Sequence, residues 1–178
     1  KPNIYSETPY SISLSAGSFS FGKWDNSEAD ITFQNLSSVG LEASYQFSHK
    51  WLLDAEILSS KGNAKLCAKG GTCGEIQAGH AEFNLVVNYF LYKGFYAHAG
   101  AGLSTVIFNL EGAATAGYLT LVGLGYKWKL SESFFTQIEG RYAYHKFTKN
   151  RSQIEELDAL LLEDRQSLNL GLSLGVSF

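Results

Sequence analysis

The chain has 178 residues, the length of one domain, and a formal net charge of −3 at neutral pH. Its lysines and arginines are scattered, so a nucleic-acid-binding surface is not expected. The 18 glycines, 10 tyrosines and 12 phenylalanines, with only 2 prolines, favour a tightly packed sheet protein. No stretch approaches the roughly 20 consecutive apolar residues of a membrane-spanning helix.

The first strand is predicted to begin at Tyr10. Residues 1–9 contain both prolines and no alternation, and we expect them to form a short tail. From Tyr10 onward large apolar and small residues alternate with a period of two, which indicates a strand with one apolar and one small-polar face. The large residues then change phase at Phe19 and Phe21, which a β-bulge near residues 17–18 would explain.

Further segments alternate in the same way, and each reaches the ~9–11 residues that a tilted strand needs to cross a bilayer. These predicted strands are residues 36–47, 51–61, 76–91, 95–108, 115–129, 134–147 and 168–178. The connections between them are alternately long and short. We predict loops at residues 23–35, 62–75, 109–114 and 148–164, and tight turns at 48–50, 92–94 and 130–133.

The last predicted strand, residues 168–178, alternates without a break between an apolar face and a face of Asn, Gly and Ser. Such a strand would aggregate as an exposed edge, so we expect the first strand to pair with it and close the sheet. The inner stripes of all strands are rich in small residues, unlike the charged exterior of a soluble barrel. The apolar stripes lack charge at their centres and end in aromatic residues, as expected at membrane interfaces. The sequence therefore predicts an all-β fold, a transmembrane antiparallel up-and-down β-barrel of eight strands.

With these features the chain resembles the small bacterial outer-membrane β-barrels of the OmpA and OmpX type. The resemblance covers residues 10–178 and rests on the alternating strands, the pattern of turns and loops, and the last strand ending in Phe178. It implies a place in the outer membrane of a Gram-negative bacterium, among lipid and lipopolysaccharide, with the four predicted loops extracellular. It also implies that the strand ending in Phe178 is the signal read by the outer-membrane assembly machinery.

The fourth loop carries a helical pattern. Ile154, Leu157, Leu160 and Leu161 recur at helical spacing with acidic residues between them, which predicts a short amphipathic helix. We expect this helix to cap the mouth of the barrel rather than to dock onto a partner.

Charged side chains fall on the predicted inner face. An eight-stranded barrel is just wide enough for side chains to fill it, and a buried charge must be paired or hydrated. We therefore expect Arg141 and Lys127 to meet carboxylates from facing strands and to plug the barrel; a proton or ion path through continuous water is the alternative. The predicted lumen cluster consists of Glu42, Asp54, Glu56, His80, Glu82, Lys127, Glu139, Arg141 and His145, with Tyr96 and His98 on the same face.

Cys67 and Cys73 are the only cysteines and flank a flexible five-residue stretch that can close a small ring. We expect a disulfide, formed in an oxidising compartment. A metal pair is the alternative, but no histidine lies close and the spacing of the cysteines is not that of a zinc site.

The function expected from these features is that of a non-enzymatic surface barrel. Loops carry binding more often than the scaffold does, so the loops are expected to have structural roles or to contact host molecules or other cells. We expect no catalytic residues, metal or cofactor. The candidate contact residues are Trp24, Asp25, Lys61 and Lys65.

Two other functions stay open from the sequence, a narrow ion channel and an enzyme acting on lipid A or phospholipid. A lipid hydrolase needs a serine, a histidine and an acid at a place that lipid can reach. His80, His98 and His145 all fall on the predicted inner face instead. His80 and His145 with Glu82 are only a weak acid–base or metal candidate.

Overall fold

The computed structural model describes residues 9–25, 29–69, 71–110, 113–151 and 161–178. The strands are β1 (Tyr10–Phe21), β2 (Trp24–Asp25), β3 (Ala29–Phe33), β4 (Leu36–Gln46), β5 (Trp51–Ala68), β6 (Cys73–Tyr92), β7 (Phe95–Phe108), β8 (Ala114–Lys129), β9 (Phe134–Arg151) and β10 (Asp164–Ser177). All but β2 and β3 form a closed ring of eight antiparallel strands in up-and-down order. The predicted fold class is therefore confirmed. No helix in the described ranges is both long enough and apolar enough to span a membrane.

The ring closes between the first and the last strand, as expected. β1 pairs with β10 without interruption from Ser11 opposite Ser177 to Phe21 opposite Ser167. The backbone N–H of Phe178 donates to the carbonyl of Tyr10 at 2.9 Å. Because both edges of β10 are paired, its apolar face is presented to the surroundings without an open strand edge.

The outer face of the barrel is an apolar band next to the short turns. On β10, Leu168, Leu170, Leu172 and Leu174 are each at least half exposed. Aromatic rings, such as Trp51 packed on Tyr89 at 4.7 Å between centroids, edge this band at the turns. A continuous exposed surface of this kind does not suit water and fits the hydrocarbon of a bilayer. Tyr118, Tyr142 and Tyr144 edge the band on the opposite side.

One short turn has the geometry of a two-residue hairpin. Lys93 and Gly94, between β6 and β7, have φ angles of 42° and 93°. Positive φ at both central residues defines a type I′ turn, whose twist matches that of the flanking strands. We call this side of the barrel the turn end and the opposite side the loop end.

The hairpin formed by β5 and β6 continues beyond its predicted limits at the loop end. β5 runs to Ala68 and β6 starts at Cys73, so most of the predicted loop 62–75 is a regular hairpin. The disulfide between Cys67 and Cys73 is present at its tip, which confirms that prediction. The sequence resembles a loop there because both faces of the hairpin carry small and polar residues.

The predicted loop 23–35 also contains strands. β2 pairs with β3, and β3 adds to β5 from Ala29 opposite Ala68 to Phe33 opposite Ala64. These pairings place a second, short hairpin against the wall of the barrel mouth.

The other two predicted loops differ in how far the structure describes them. β7 ends at Phe108 and β8 begins at Ala114, close to the limits of the predicted loop 109–114. β9 extends to Arg151, so the start of the predicted loop 148–164 is strand. Most of the helix predicted from Ile154 to Leu161 lies outside the described residues.

The β-bulge predicted near residues 17–18 is wrong. β1 keeps an unbroken register with both neighbours, and Phe19 and Phe21 point inward while Ser18 points outward. Along the whole of β1 the odd-numbered side chains point inward, but from Phe19 onward the inward residues are apolar and the outward ones are polar. Beyond the apolar band the outside of the wall is polar and the inside is apolar.

Candidate functional site

Three groups of inward side chains form the candidate functional site. The ion-pair cluster lies within the apolar band and consists of Glu42, Asp54, Glu56, Glu139 and Arg141 with their partners. The histidine–serine cluster lies nearer the loop end and consists of His80, Glu82, Ser104, His145 and Ser167. The aromatic plug at the loop end consists of Phe19, Phe21, Trp24, Phe33, Phe108 and Phe147.

Arg141 on β9 is the centre of the ion-pair cluster. Its Nη1 and Nη2 donate to the two carboxylate oxygens of Glu56 across the lumen, at 2.5 and 3.1 Å. Its Nη2 also donates to Glu139, and the hydroxyl of Tyr96 donates to the other Glu139 oxygen at 3.3 Å. This forked geometry is the strongest pairing that a guanidinium makes with carboxylates, and it links β5 to β9 through the middle of the barrel.

Two further acids are held by neutral donors. Glu42 accepts from Ser44 at 3.0 Å and from Gln137 at 3.1 Å. Asp54 accepts from Asn88. Hydrogen bonds from serine and amide groups replace part of the hydration that these buried carboxyl groups lose.

Lys127 differs from its predicted role. Within the described residues its ammonium forms no ion pair of 4.0 Å or less; it lies 3.6 Å from the ring centroid of Phe135. Lys127 is also half-buried, while the other members of the predicted cluster are buried. Within the described part of the chain, Glu56 and Glu139 are therefore reached at ion-pair distance by Arg141 and not by Lys127.

Inward glycines make room for large neighbours on the adjacent strand. A Cβ on Gly123 would lie 2.1 Å from Nε2 of His98, and one on Gly125 would lie 2.2 Å from the ring of Tyr96. The cavity that touches Glu42, Glu56 and Arg141 has a volume of about 10 Å³. A cavity needs about 10–15 Å³ to hold one water, so continuous water is not expected there.

A small apolar layer separates the two polar clusters. On β9, Ala143 lies between Arg141 and His145 and packs with Leu119 and Leu121 of β8. Leu119 and Leu121 are apolar on an inner face that was predicted to be small and polar, and this layer accounts for their inward position.

The histidine–serine cluster is a compact hydrogen-bonded group. The hydroxyl of Ser104 lies 3.2 Å from Nε2 of His80 and 3.1 Å from Nδ1 of His145. The hydroxyl of Ser167 lies 2.7 Å from Nε2 of His145. The carboxylate of Glu82 lies 3.2 Å from His80 and 3.9 Å from His145. The sequence drew attention to the histidines and the acid but not to the serines, which resemble any other small inward residue.

These residue types are also those of a hydrolytic triad. A hydrolase needs its nucleophile within reach of substrate. Ser104 and Ser167 are buried, and His145 has no exposed surface. The ring of Phe19 covers His80 at 4.3 Å between centroids, and the ring of Phe21 lies 5.2 Å from His145. The cluster is therefore closed toward the loop end.

The aromatic plug covers the histidine–serine cluster. Trp24, which was predicted to be an exposed contact residue, is fully buried. Its ring lies 4.8 Å from that of Phe33 and 5.6 Å from that of Phe147, and the guanidinium carbon of Arg165 lies 5.2 Å from it. The β2–β3 hairpin thus carries an apolar side into the mouth. Asp25, Lys61 and Lys65 remain exposed, as expected of contact residues.

No protein-family model matches the sequence, and no curated protein matches it. Solved structures do resemble the fold. The outer membrane protein OprG from Pseudomonas aeruginosa matches with a TM-score of 0.62 and 13% identity, over 100% of this chain and 99% of that chain. Neisserial surface protein A matches with a TM-score of 0.56 and 12% identity, over 95% and 97%.

A third solved structure carries a ligand. Ail, the attachment invasion locus protein of Yersinia pestis, in complex with the heparin analogue sucrose octasulfate, matches with a TM-score of 0.54 and 14% identity, over 95% of this chain and 99% of that chain. The chain has the fold of the small eight-stranded outer-membrane β-barrels.

Proposed function

We propose that the protein is a closed, non-enzymatic barrel of a Gram-negative outer membrane that presents its loop end for recognition. The observation that carries this proposal is the set of buried side chains that point into the barrel. Ion pairs occupy the middle of the barrel, and aromatic rings occupy the loop end. The apolar band and the outer-membrane barrels that share the fold support the location. The predicted role of Phe178 as an assembly signal is part of the same proposal.

A channel and a lipid enzyme are disfavoured by the same interior. A conducting path needs connected water, whereas Arg141 and Glu56 bridge the lumen directly. A lipid-modifying site needs polar groups that reach lipid, whereas Ser104 and His145 are buried inside the wall.

Recognition of an anionic ligand is supported by the β5–β6 hairpin. Lys61 and Lys65 point outward from the same face of β5, and the exposed Lys69 follows at the tip. The disulfide between Cys67 and Cys73 holds that tip together. Exposed lysines attract anionic groups through a salt-screened interaction, and a fold relative is seen with a sulfated sugar.

The closed interior is tested by reconstituting the whole chain in planar lipid bilayers. We expect no stepwise conductance at moderate voltages from the native protein. A variant that opens the mouth, Phe21→Ala with Trp24→Ala, is expected to stay silent too, because Arg141 still bridges the lumen. Stable single-channel steps from the native protein would reject the proposal of a closed barrel.

Recognition is tested by the salt needed to elute the folded protein from immobilised heparin. The double variant Lys61→Gln with Lys65→Gln is expected to elute at lower salt than the native protein. The control Lys50→Gln with Lys129→Gln removes the same charge from exposed lysines at the turn end and is expected to elute with the native protein. Equal elution of both variants, or no retention of the native protein, would reject an anionic ligand at the hairpin.

A further inference from the structure

We propose that His80, Glu82 and His145 form a zinc site inside the barrel, beneath the aromatic plug. From the sequence these three residues were only a weak metal candidate, and the site is separate from the exposed surface proposed for recognition. The donor atoms of the three residues converge, buried polar atoms among them lack partners, and neighbouring residues orient them.

The donor atoms converge at zinc-binding distances. Oε1 of Glu82 lies 3.2 Å from Nε2 of His80 and 3.9 Å from Nε2 of His145, and one ligand atom from each residue lies within 4.8 Å of the others. Zinc binds histidine nitrogen and carboxylate oxygen at ~2.0–2.2 Å, so ligand atoms around a tetrahedral zinc are about 3.4 Å apart. The observed separations need only small side-chain rotations to reach this arrangement.

Two buried atoms of the cluster lack hydrogen bonds. Among the described residues, Oε1 of Glu82 accepts no hydrogen bond of acceptable geometry, although Nε2 of His80 lies at ion-pair distance, 3.2 Å, and Nδ1 of His80 has no partner. Both residues are buried. Buried polar atoms are almost always satisfied, so an orphaned carboxylate oxygen facing two histidines points to a cation.

Other residues orient the donors as they do in metal sites. Nδ2 of Asn84 donates to Oε2 of Glu82 at 3.0 Å, which leaves Oε1 directed at the histidines. When Nδ1–H of His145 donates to Ser104, its Nε2 carries the lone pair that a metal needs. In metal sites, hydrogen-bond partners that do not bind the metal themselves fix the tautomer and the direction of the metal-binding histidines. The hydroxyl of Ser167, at 2.7 Å from Nε2 of His145, would turn away or become a fourth ligand.

The charge of the interior also favours a cation. Among the described residues, the five buried carboxyl groups of Glu42, Asp54, Glu56, Glu82 and Glu139 outnumber the three inward cationic side chains of Lys127, Arg141 and Arg165. Each carboxyl group near Arg141 accepts a hydrogen bond from Arg141, Ser44, Gln137 or Asn88, although Oδ1 of Asp54 lacks a partner, and no histidine faces that oxygen at ion-pair distance among the described residues. The histidine–serine cluster is therefore the place where a divalent ion finds nitrogen donors and an orphaned oxygen.

The competing arrangement is an ion pair. If His80 is protonated, its Nε2–H faces Glu82 and the pair is neutral without a metal. Neutral histidine is required for binding, so the two arrangements exclude each other and predict different results.

The test uses the full chain refolded into detergent with zinc sulfate, then dialysed against metal-free buffer. Because the plug covers the cluster, we expect zinc to enter during folding and to leave slowly afterward. Elemental analysis is expected to find zinc in an amount equimolar with folded protein. His80→Gln and His145→Gln are expected to weaken binding by more than about 100-fold, beyond the ~10–100-fold typical of outer-shell partners.

The matched control is His98→Gln. His98 is also a buried inward histidine, but it lies beside Tyr96 and Gly123, outside the cluster. This variant is expected to retain zinc like the native protein.

A second readout does not depend on the variants folding. Cobalt refolded into the native protein is expected to give the visible absorption of a tetrahedral site with histidine and carboxylate ligands. Native protein without bound zinc and without this absorption would overturn the proposal and favour the ion pair. Equal zinc content in His80→Gln, His145→Gln and native protein would also overturn it.

Discussion

The two ends of the barrel wall differ in which side is apolar. Within the band next to the turns, Leu14 and Leu41 face outward and Ser13 and Glu42 face inward. At the loop end, Lys61 faces outward, and inward residues such as Phe19 join an apolar core. This difference arises because one continuous sheet is in contact with two solvents: lipid surrounds one part of it and water surrounds the other.

This contrast explains the two kinds of interior. In the band, the outside supplies the apolar environment, so the lumen can hold an ion-pair network around Arg141. Beyond the band, the wall must bury apolar groups as a soluble protein does, so the lumen becomes an aromatic core. The β2–β3 hairpin adds Trp24 and Phe33 to that core.

The largest expected effect comes from breaking the ion-pair network. Arg141→Met leaves Glu56 and Glu139 as buried carboxylates without their cation, which costs about 3–5 kcal/mol in comparable sites. We expect the free energy of unfolding in lipid vesicles, measured by urea titration and tryptophan fluorescence, to fall by that amount. Lys127→Met, which removes a half-buried lysine lacking a close ion pair, is the control and should cost clearly less. Equal losses would mean that Arg141 has no special role.

A loss of about 3 kcal/mol is expected from the aromatic plug. Phe19→Ala removes a buried ring, for which the usual cost is ~3–5 kcal/mol, and relaxation of the nearby hairpin places the effect at the low end. The neighbouring Ser18→Ala changes an outward side chain and should stay within ~0.5 kcal/mol. Similar losses for both variants would contradict the exchange of faces along β1.

The sequence predicted the band well and the plug poorly, for a physical reason. Lipid on one side and a polar lumen on the other give a strong alternation, which any single strand shows on its own. The plug is assembled from distant segments, and no single strand reveals it. Its one local signal, the large residues Phe19 and Phe21 after a run of inward serines, was attributed to a bulge.

For the candidate site, the sequence predicted which charged residues lie inside the barrel but not which partners they contact. Charges such as Arg141 and Glu56 stand out on an inner face of glycine and serine, so their place in the lumen could be inferred. The partner of each charged side chain depends on the stagger between strands. The alternation of apolar and polar residues within a strand does not reveal that stagger. Lys127 shows this, since its neighbour at close range is Phe135.

A smaller effect is expected at the inward glycines. Gly123→Ala would place a Cβ 2.1 Å from His98, and overpacking of this kind costs about 1–3 kcal/mol. The control Gly79→Ala lies on the outward face, where the nearest atom to a new Cβ is 3.9 Å away. In urea titrations Gly79→Ala should match the native protein. If the free energy of unfolding of Gly123→Ala also equals that of the native protein, His98 is not tightly packed against Gly123.

The smallest effect on global unfolding is expected from the disulfide. The chain-entropy model gives about 2 kcal/mol for so short a ring, and the hairpin tip lies far from the core of the barrel. Reduction, or Cys67→Ser with Cys73→Ser, should therefore lower the free energy of unfolding by about 2 kcal/mol or less. Protease cleavage at the tip should accelerate more clearly than global unfolding, and the reverse order would contradict a local role.

The exchange of faces is tested most directly by single cysteines probed in lipid vesicles with a water-soluble maleimide. The native cysteines are paired, so each single variant supplies one free thiol. Gln77→Cys places it on the outside of the loop end, and Ala78→Cys places it on the inside of the loop end. Ala101→Cys places it on the outside of the apolar band. Gln77→Cys should react rapidly, and the other two should react at least about tenfold more slowly, one protected by the plug and one by lipid. If Ala78→Cys reacts as fast as Gln77→Cys, the mouth of the barrel is open to water, which would contradict an apolar interior at the loop end.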